Sequence, residues 1–298
     1  MLRLVGISFA LLFGAPSWAR SYDVSLSKLG DTPADKAKYR SLAQEMGLVL
    51  APLHIGPART TGHSGFEYTL RYSSHNIHQT RSYWTDVSEG GVMDLDGATN
   101  APDTLSTTTI EVRKGLPFGL ELGTNLTWLE NSQTLALGGR VRIGLLEGYQ
   151  QSYSPDVSVQ ASVNRMLGST DLDLTTIAAG ATVSYRKSVA GRVTVSPFFG
   201  FDFLLVQAGS HLLINPAFQT MRDAGCEDAD EPINQCPDRL IVFDPLALDD
   251  ADNQWSRVRY GLRIESILFA FTVQHDVPID DRERPDQHAI SVGLSAHF

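Results

Sequence analysis

Arginine and carboxylate side chains recur on one side of a series of alternating segments. They are Glu67, Arg71, Glu111, Arg113, Glu121, Arg140, Arg142, Asp202, Arg257, Arg259, Arg263 and Glu265. The positions between them are apolar, as in Phe66-x-Tyr68-x-Leu70-x-Tyr72 and Leu135-x-Leu137-x-Gly139-x-Val141-x-Ile143. A period of two sends these two sets to opposite faces of strands. Charges gathered on one buried face must pair. Parity sets Glu121 opposite Arg140 or Arg142 on a neighbouring strand. Two chemistries suit such a face: a salt-bridged interior packed shut, or an anion-leaning constriction in which arginines outnumber acids.

Other residues of chemical interest lie between the alternating segments. The stretch 207–255 is strongly acidic. Within it Asp228-Ala229-Asp230 and Asp249-Asp250-Ala251-Asp252 offer oxygen ligands at spacings that suit a surface calcium ion, or make an ordinary solvated loop. Asp94-Leu95-Asp96-Gly97 is similar but lacks the remaining ligands of an EF-hand loop. His63 and His75-Asn76-Ile77-His78 decorate connections rather than form a metal set. No Gly-rich phosphate loop and no nucleophile elbow occurs.

The elements that position these residues follow from the chain's order. Arg3, the apolar run Leu4–Ala15 and the small-x-small Ser17-Trp18-Ala19 read as a signal peptide over 1–19, cleaved after Ala19. Export favours a disulfide between the only two cysteines, Cys226 and Cys236. In the loop-entropy description so small a ring contributes about 3 kcal/mol. Residues 20–63 form a periplasmic N-terminal segment. In it Thr32-Pro33-Ala34-Asp35 is a capping box, and Ala37, Tyr39, Leu42, Ala43 and Met46 continue a short helix ending near Gly47. Ten period-two strands fill 64–298, beginning near residues 66, 108, 118, 135, 157, 177, 193, 257, 267 and 289.

With 298 residues, 24 Lys+Arg against 34 Asp+Glu and a charge of −10, the chain lacks the basic stripe of a nucleic-acid binder. Half-apolar strands build either a soluble sandwich or a membrane barrel. Three features favour the barrel. The polar face is rich in Gly, Ala and Ser, as a crowded interior requires. Tyr72, Phe118, Trp128, Tyr185, Phe203 and Phe298 stand near strand ends on the apolar face, where interfacial girdles belong. The connections also sort by length: short ones near 114–117, 145–154, 186–191 and 265–266 alternate with connections that include the very long 74–105 and 207–255. The fold expected is an all-β, ten-stranded antiparallel transmembrane barrel with short turns in the periplasm and a short periplasmic helix, plugging that mouth or lying outside it.

The last strand, Ile290, Val292, Leu294 and Ala296 alternating to a terminal Phe298, resembles the C-terminal strand of bacterial outer-membrane β-barrel proteins. The resemblance spans about Gly65 to Phe298 as pattern and the last strand as motif. It implies a diderm outer membrane, contact with its lipid, and Phe298 as part of the signal read by the barrel assembly machinery. The function expected is a narrow porin-like pore, or a surface-exposed barrel whose large loops bind a solute or surface ligand. No cofactor is expected beyond the surface calcium. The alternative is a barrel enzyme. Asp94-x-Asp96 resembles the acidic pair of the omptin proteases, but their facing Asp-x-His pair is missing: Gly209 precedes His211 at that spacing, and His275-Asp276 is elsewhere. Ser73-Ser74-His75-Asn76 holds the residue types of a lipid hydrolase without the spacing.

Overall fold

A computed structural model describes residues 32–78, 103–147, 154–169, 171–189, 193–211, 253–279 and 287–298, with Leu26, Leu29, Arg81, Tyr83 and Trp84. The signal peptide, both cysteines and the acids Asp94, Asp96, Asp228, Asp230, Asp249, Asp250 and Asp252 lie outside the described residues.

The wall is antiparallel throughout. Its strands are β1 (Phe66–Asn76), β2 (Thr104–Gly115), β3 (Leu120–Leu129), β4 (Leu135–Leu146), β5 (Asp156–Leu167), β6 (Leu172–Ser184), the short β7 (Lys187–Val189), β8 (Val193–Ser210), β9 (Gln254–Glu265), β10 (Phe269–Pro278) and β11 (Ala289–His297). Each pairs with its chain neighbour, except that β6 pairs directly with β8 and β7 pairs only with β8. First and last strands close the ring, with Leu70 opposite Leu294 and Tyr72 opposite Val292. The result is a closed ten-stranded barrel. Closure matters because the edges of the ten wall strands are then paired within the wall.

The ten strands expected from periodicity are all present, with shifted ends. Phe118 does not begin β3; it sits in a single 3-10 turn, Pro117–Gly119, with φ of 64°. Ile267 and Leu268 belong to the turn before β10. At the other end β10 runs on to Pro278, so Asp276 is a strand residue and not part of a loop.

The faces sort by polarity. Leu70, Phe199, Phe271 and Leu294 are about half exposed on the outside, whereas Arg113, Arg142 and Arg259 are among the largest fully buried side chains. An apolar exterior around a charged interior is stable only where hydrocarbon replaces water outside. The chain is therefore a transmembrane β-barrel. Among the described residues no helix is long and apolar enough to cross a membrane; the strands are the crossing elements.

The barrel has two unlike mouths. At the turn end lie Phe66, Gly115, Leu120, Ser184, Glu265, Phe269 and His297, where short turns join strands. At the loop end lie Asn76, Thr104, Ser210, Gln254, Pro278 and Ala289, where the long connections leave.

The helix α1 (Pro33–Val49) starts as its sequence dictates. Thr32 Oγ1 accepts from the Asp35 amide at 3.2 Å and Pro33 occupies the first turn. It continues past Gly47, which is buried inside it. A Cβ at Gly47 would lie 2.5 Å from Val206 Cγ1, so glycine there permits close helix-to-wall approach rather than ending the helix. The helix sits at the loop end. The periplasmic helix and the periplasmic strand ends expected from the sequence are thus at opposite mouths, and only one of them can face the periplasm.

Candidate functional site: a lumen filled by the N-terminal segment

The site is built from the chain between α1 and β1. Residues 50–62 leave the helix at the loop end and run through the lumen to the turn end. Their contacts follow the wall in order. Asn164 Nδ2 donates to the Leu50 carbonyl at 3.0 Å, Arg257 Nη2 to that of Pro52 at 2.9 Å, and Arg71 Nη1 to that of Leu53 at 2.6 Å. Lower down, Arg142 Nη1 donates to the carbonyls of Pro57 at 3.0 Å and Arg59 at 3.3 Å. The Ala58 amide donates to Ser184 Oγ at 3.0 Å, that of Thr60 to Glu147 Oε1 at 2.9 Å, and that of Thr61 to Glu121 Oε2 at 2.8 Å. A stretch with no sheet partner of its own has many orphaned backbone groups. Here side chains of the wall and its turns take up many of them, and the Ile55 amide donates to the Leu53 carbonyl at 3.0 Å within the segment.

One side chain of the segment joins the charge network at mid-height. His54 Nδ1 lies 3.0 Å from Asp202 Oδ1, and His54 Nε2 lies 2.6 Å from Ser162 Oγ. Glycines clear the space around it: a Cβ at Gly180 would meet Asp202 Oδ1 at 2.0 Å, and one at Gly200 would meet Arg259 Nε at 2.5 Å. Ser162, His54 and Asp202 have the types and order that activate a serine nucleophile. Their burial decides otherwise. The three are 6%, 1% and 0% exposed, and Asp202 also takes Arg257 at 3.1 Å and Arg259. No acyl group reaches Ser162 past the segment, so the arrangement acts as a clasp between segment and wall.

The charged residues singled out in the sequence come together on the inside. Glu121 lies 3.4 Å from Arg140, 3.6 Å from Arg113 and 3.8 Å from Arg142. Glu67 pairs with Arg113 and, at 2.8 Å, with Arg263; Glu111 pairs with Arg140 at 2.7 Å. Asp276, which alternation alone had left in a loop, faces Arg257 Nε at 3.6 Å. Arg71 donates instead to Leu53 and, at 3.1 Å, to Thr109 Oγ1. Glu265 is the exception to burial. It stands at the turn-end rim, 36% exposed, 3.6 Å from Arg263 and 3.8 Å from His297.

At the loop end the helix closes the lumen with an apolar core. Leu26, Leu29, Tyr39, Leu42, Met46, Val49 and Leu50 pack with Leu172, Leu174, Leu204, Val206 and Trp255 from the wall. Burying each such aliphatic side chain contributes roughly 1.5–3 kcal/mol. Burial also pushes the Tyr39 hydroxyl's pKa upward. The buried Glu45 carboxylate latches the helix to the connections above: it accepts from the His78 amide at 2.8 Å, from Trp84 Nε1 and from Gln287 Nε2. Beside it a cavity of about 30 Å³, lined in part by His75, Arg257, Asp276 and His288, has room for about one water. At the turn end a recess of about 290 Å³ opens among Arg59, Arg113, Arg186, Arg263 and Phe298.

The histidine and serine motifs do not assemble. His75 faces inward, 3.2 Å from Thr107 Oγ1, while Ser73 Oγ pairs with Ser291 Oγ at 2.9 Å. His63 is exposed at the turn end, far from His78 at the loop end. His211 meets Asp173 at 3.3 Å on an exposed rim. Among the described residues no group of three His, Cys, Asp or Glu is placed to hold a metal.

Periodicity missed the lumenal segment and His54, yet a signal was present. Leu204 and Val206 fall on the polar parity of β8, and Leu172 and Leu174 on that of β6. Apolar side chains aimed into a lumen need an apolar partner there.

No protein-family model matches the chain, and no curated protein matches its sequence. Solved structures give distant likenesses. Ail, the attachment invasion locus protein of Yersinia pestis, in complex with the heparin analogue sucrose octasulfate, is 8% identical, with 79% of this chain and 99% of that one covered and a TM-score of 0.26. The KdgM porin in complex with disordered oligogalacturonate is 8% identical over 78% and 99%, with a TM-score of 0.31. An outer membrane channel from Pseudomonas putida F1 is 8% identical over 83% and 100%, with a TM-score of 0.34.

Proposed function

We propose that the protein is an outer-membrane barrel that is closed at rest and works through the surface at its loop-bearing mouth. The observation behind this reading is the occupied lumen: residues 50–62 are gripped from Leu50 to Thr61 by wall side chains. A steady pore has no use for such a filling. A closed barrel with two long connections and a docked helix at one mouth suits recognition, with the connections supplying the contacts. In this reading the short turns and Phe298 face the periplasm, where Phe298 serves assembly, and residues 1–19 are removed on export. The acidic connection 207–255, with a Cys226–Cys236 disulfide and its aspartates as calcium ligands, lies outside.

A conditional pore is the second reading, favoured by one observation. Arg71, Arg142 and Arg257 spend donors on the segment's carbonyls. Withdrawing the segment frees those guanidiniums toward the lumen, where an anion can replace the carbonyls.

Planar-bilayer recording separates the two. The intact protein should show no steady conductance. A variant lacking residues 20–60, checked for its gel shift without boiling, should conduct with a reversal potential leaning to anions. Steady conductance from the intact protein would overturn the closed reading. A silent or cation-selective deletion variant would remove the conditional pore.

A further inference from the structure

We infer that the protein carries its own N-terminal segment across the outer membrane and holds Leu26, Leu29 and the helix Pro33–Val49 on the cell-surface side. The inference rests on the proposed orientation, with short turns in the periplasm. Its geometric basis is independent of that orientation. β1 begins at the turn end, whereas everything described before it reaches the loop end from inside a closed wall. Leu26 is already fixed there, its amide donating to Asp171 Oδ2 at 2.9 Å in the connection between β5 and β6.

The lengths agree. Thirteen residues could span at most roughly 43–47 Å if fully extended; this segment is bent at Gly56 and turned at Leu53–Ile55, and that maximum leaves slack over the apolar band of about 25 Å that such barrels present. The segment therefore crosses the bilayer thickness inside the barrel, and α1 is its stop on the far side. The helix is held by an apolar core and by the buried Glu45 latch.

The mode of grip names the class of cargo. Arg71, Arg142, Arg257 and Asn164 all address backbone carbonyls, and Ser184 and Glu121 address backbone amides. Main-chain atoms are common to every sequence, so this lumen suits a polypeptide chain as a class. Sequence-specific hold comes from His54 in the middle, from Thr60 Oγ1, which donates to Glu147 Oε1, and from the helix at the end. Residues fused ahead of Leu26 should follow the same route.

Single cysteines in a Cys226→Ser, Cys236→Ser background, probed with a membrane-impermeant maleimide, test this. Ala34→Cys lies on the exposed side of the helix, Gln133→Cys at the loop end and Ser188→Cys at the turn end, all at exposed positions. Intact cells should label Ala34→Cys and Gln133→Cys; Ser188→Cys should label only after the outer membrane is permeabilised. Ala37→Cys, also exposed, repeats the first measurement should Ala34→Cys fail to assemble. An epitope inserted after Tyr22 gives a second readout and should bind antibody on intact cells. Labelling of Gln133→Cys without either helix position overturns the inference and leaves the orientation standing. Labelling of Ser188→Cys in place of Gln133→Cys overturns the orientation and the inference together.

Discussion

Asp202 of β8 holds His54 of the lumenal segment at 3.0 Å while also pairing with Arg257 and Arg259 of the wall. The contact joins two parts of the chain 148 positions apart, and it is where a side chain of the segment enters the charge network. A neutral imidazole there donates from Nδ1 to the carboxylate and accepts the Ser162 hydroxyl at Nε2.

This clasp is unequal in its two halves. His54→Ala leaves Asp202 with Arg257 and Arg259, and should cost about 1–3 kcal/mol for the lost bonds. Asp202→Asn strands those buried guanidiniums and should cost more, about 3–5 kcal/mol. Denaturant unfolding in lipid vesicles measures both. Equal costs, or the reverse order, would show that Asp202 serves the segment alone.

Helix seating depends on the missing side chain at Gly47. Gly47→Ala gains about 1 kcal/mol of helix propensity. It also drives a methyl to within 2.5 Å of Val206 Cγ1, which costs about 1–3 kcal/mol of overpacking. The net expected effect is a looser helix, read as faster protease cleavage before β1. Val206→Ala opens the contact, so the double variant should recover much of the protection. No recovery would place the strain elsewhere.

The outer face should refuse charge. Val292→Arg and Val273→Arg, on paired positions midway along β11 and β10 in the exposed apolar belt, should each cost about 2–4 kcal/mol. Equilibrium unfolding in vesicles is the measurement. Costs near zero would mean that these positions do not meet hydrocarbon.

The cysteine pair should matter only locally. A ring confined to one connection frees only that connection's entropy when removed. Cys226→Ser with Cys236→Ser should leave the unboiled gel shift unchanged while external protease cuts 207–255 faster. Failure to assemble would mean that this connection belongs to the folded core.

The sequence by itself determined the wall. Alternation from Phe66 to Phe298 set strand count, face and connection order, because a period of two leaves each side chain only one of two environments. It also determined the start of α1, since a capping box acts within one turn and needs no distant partner. It gathered Glu121 with Arg140 and Arg142, whose adjacency follows from strand parity.

Only the tertiary structure decided what fills the lumen. Residues 50–62 have no period because their backbone is satisfied by side chains from strands far along the chain, Asn164 and Arg257 among them. Ser162, His54 and Asp202 meet through three elements that local pattern cannot relate. The side taken by α1 was likewise undetermined. An amphipathic helix specifies that one face is buried, while the apolar partners that bury it, Leu204 and Val206 at the loop end, become neighbours only once the ring has closed around it.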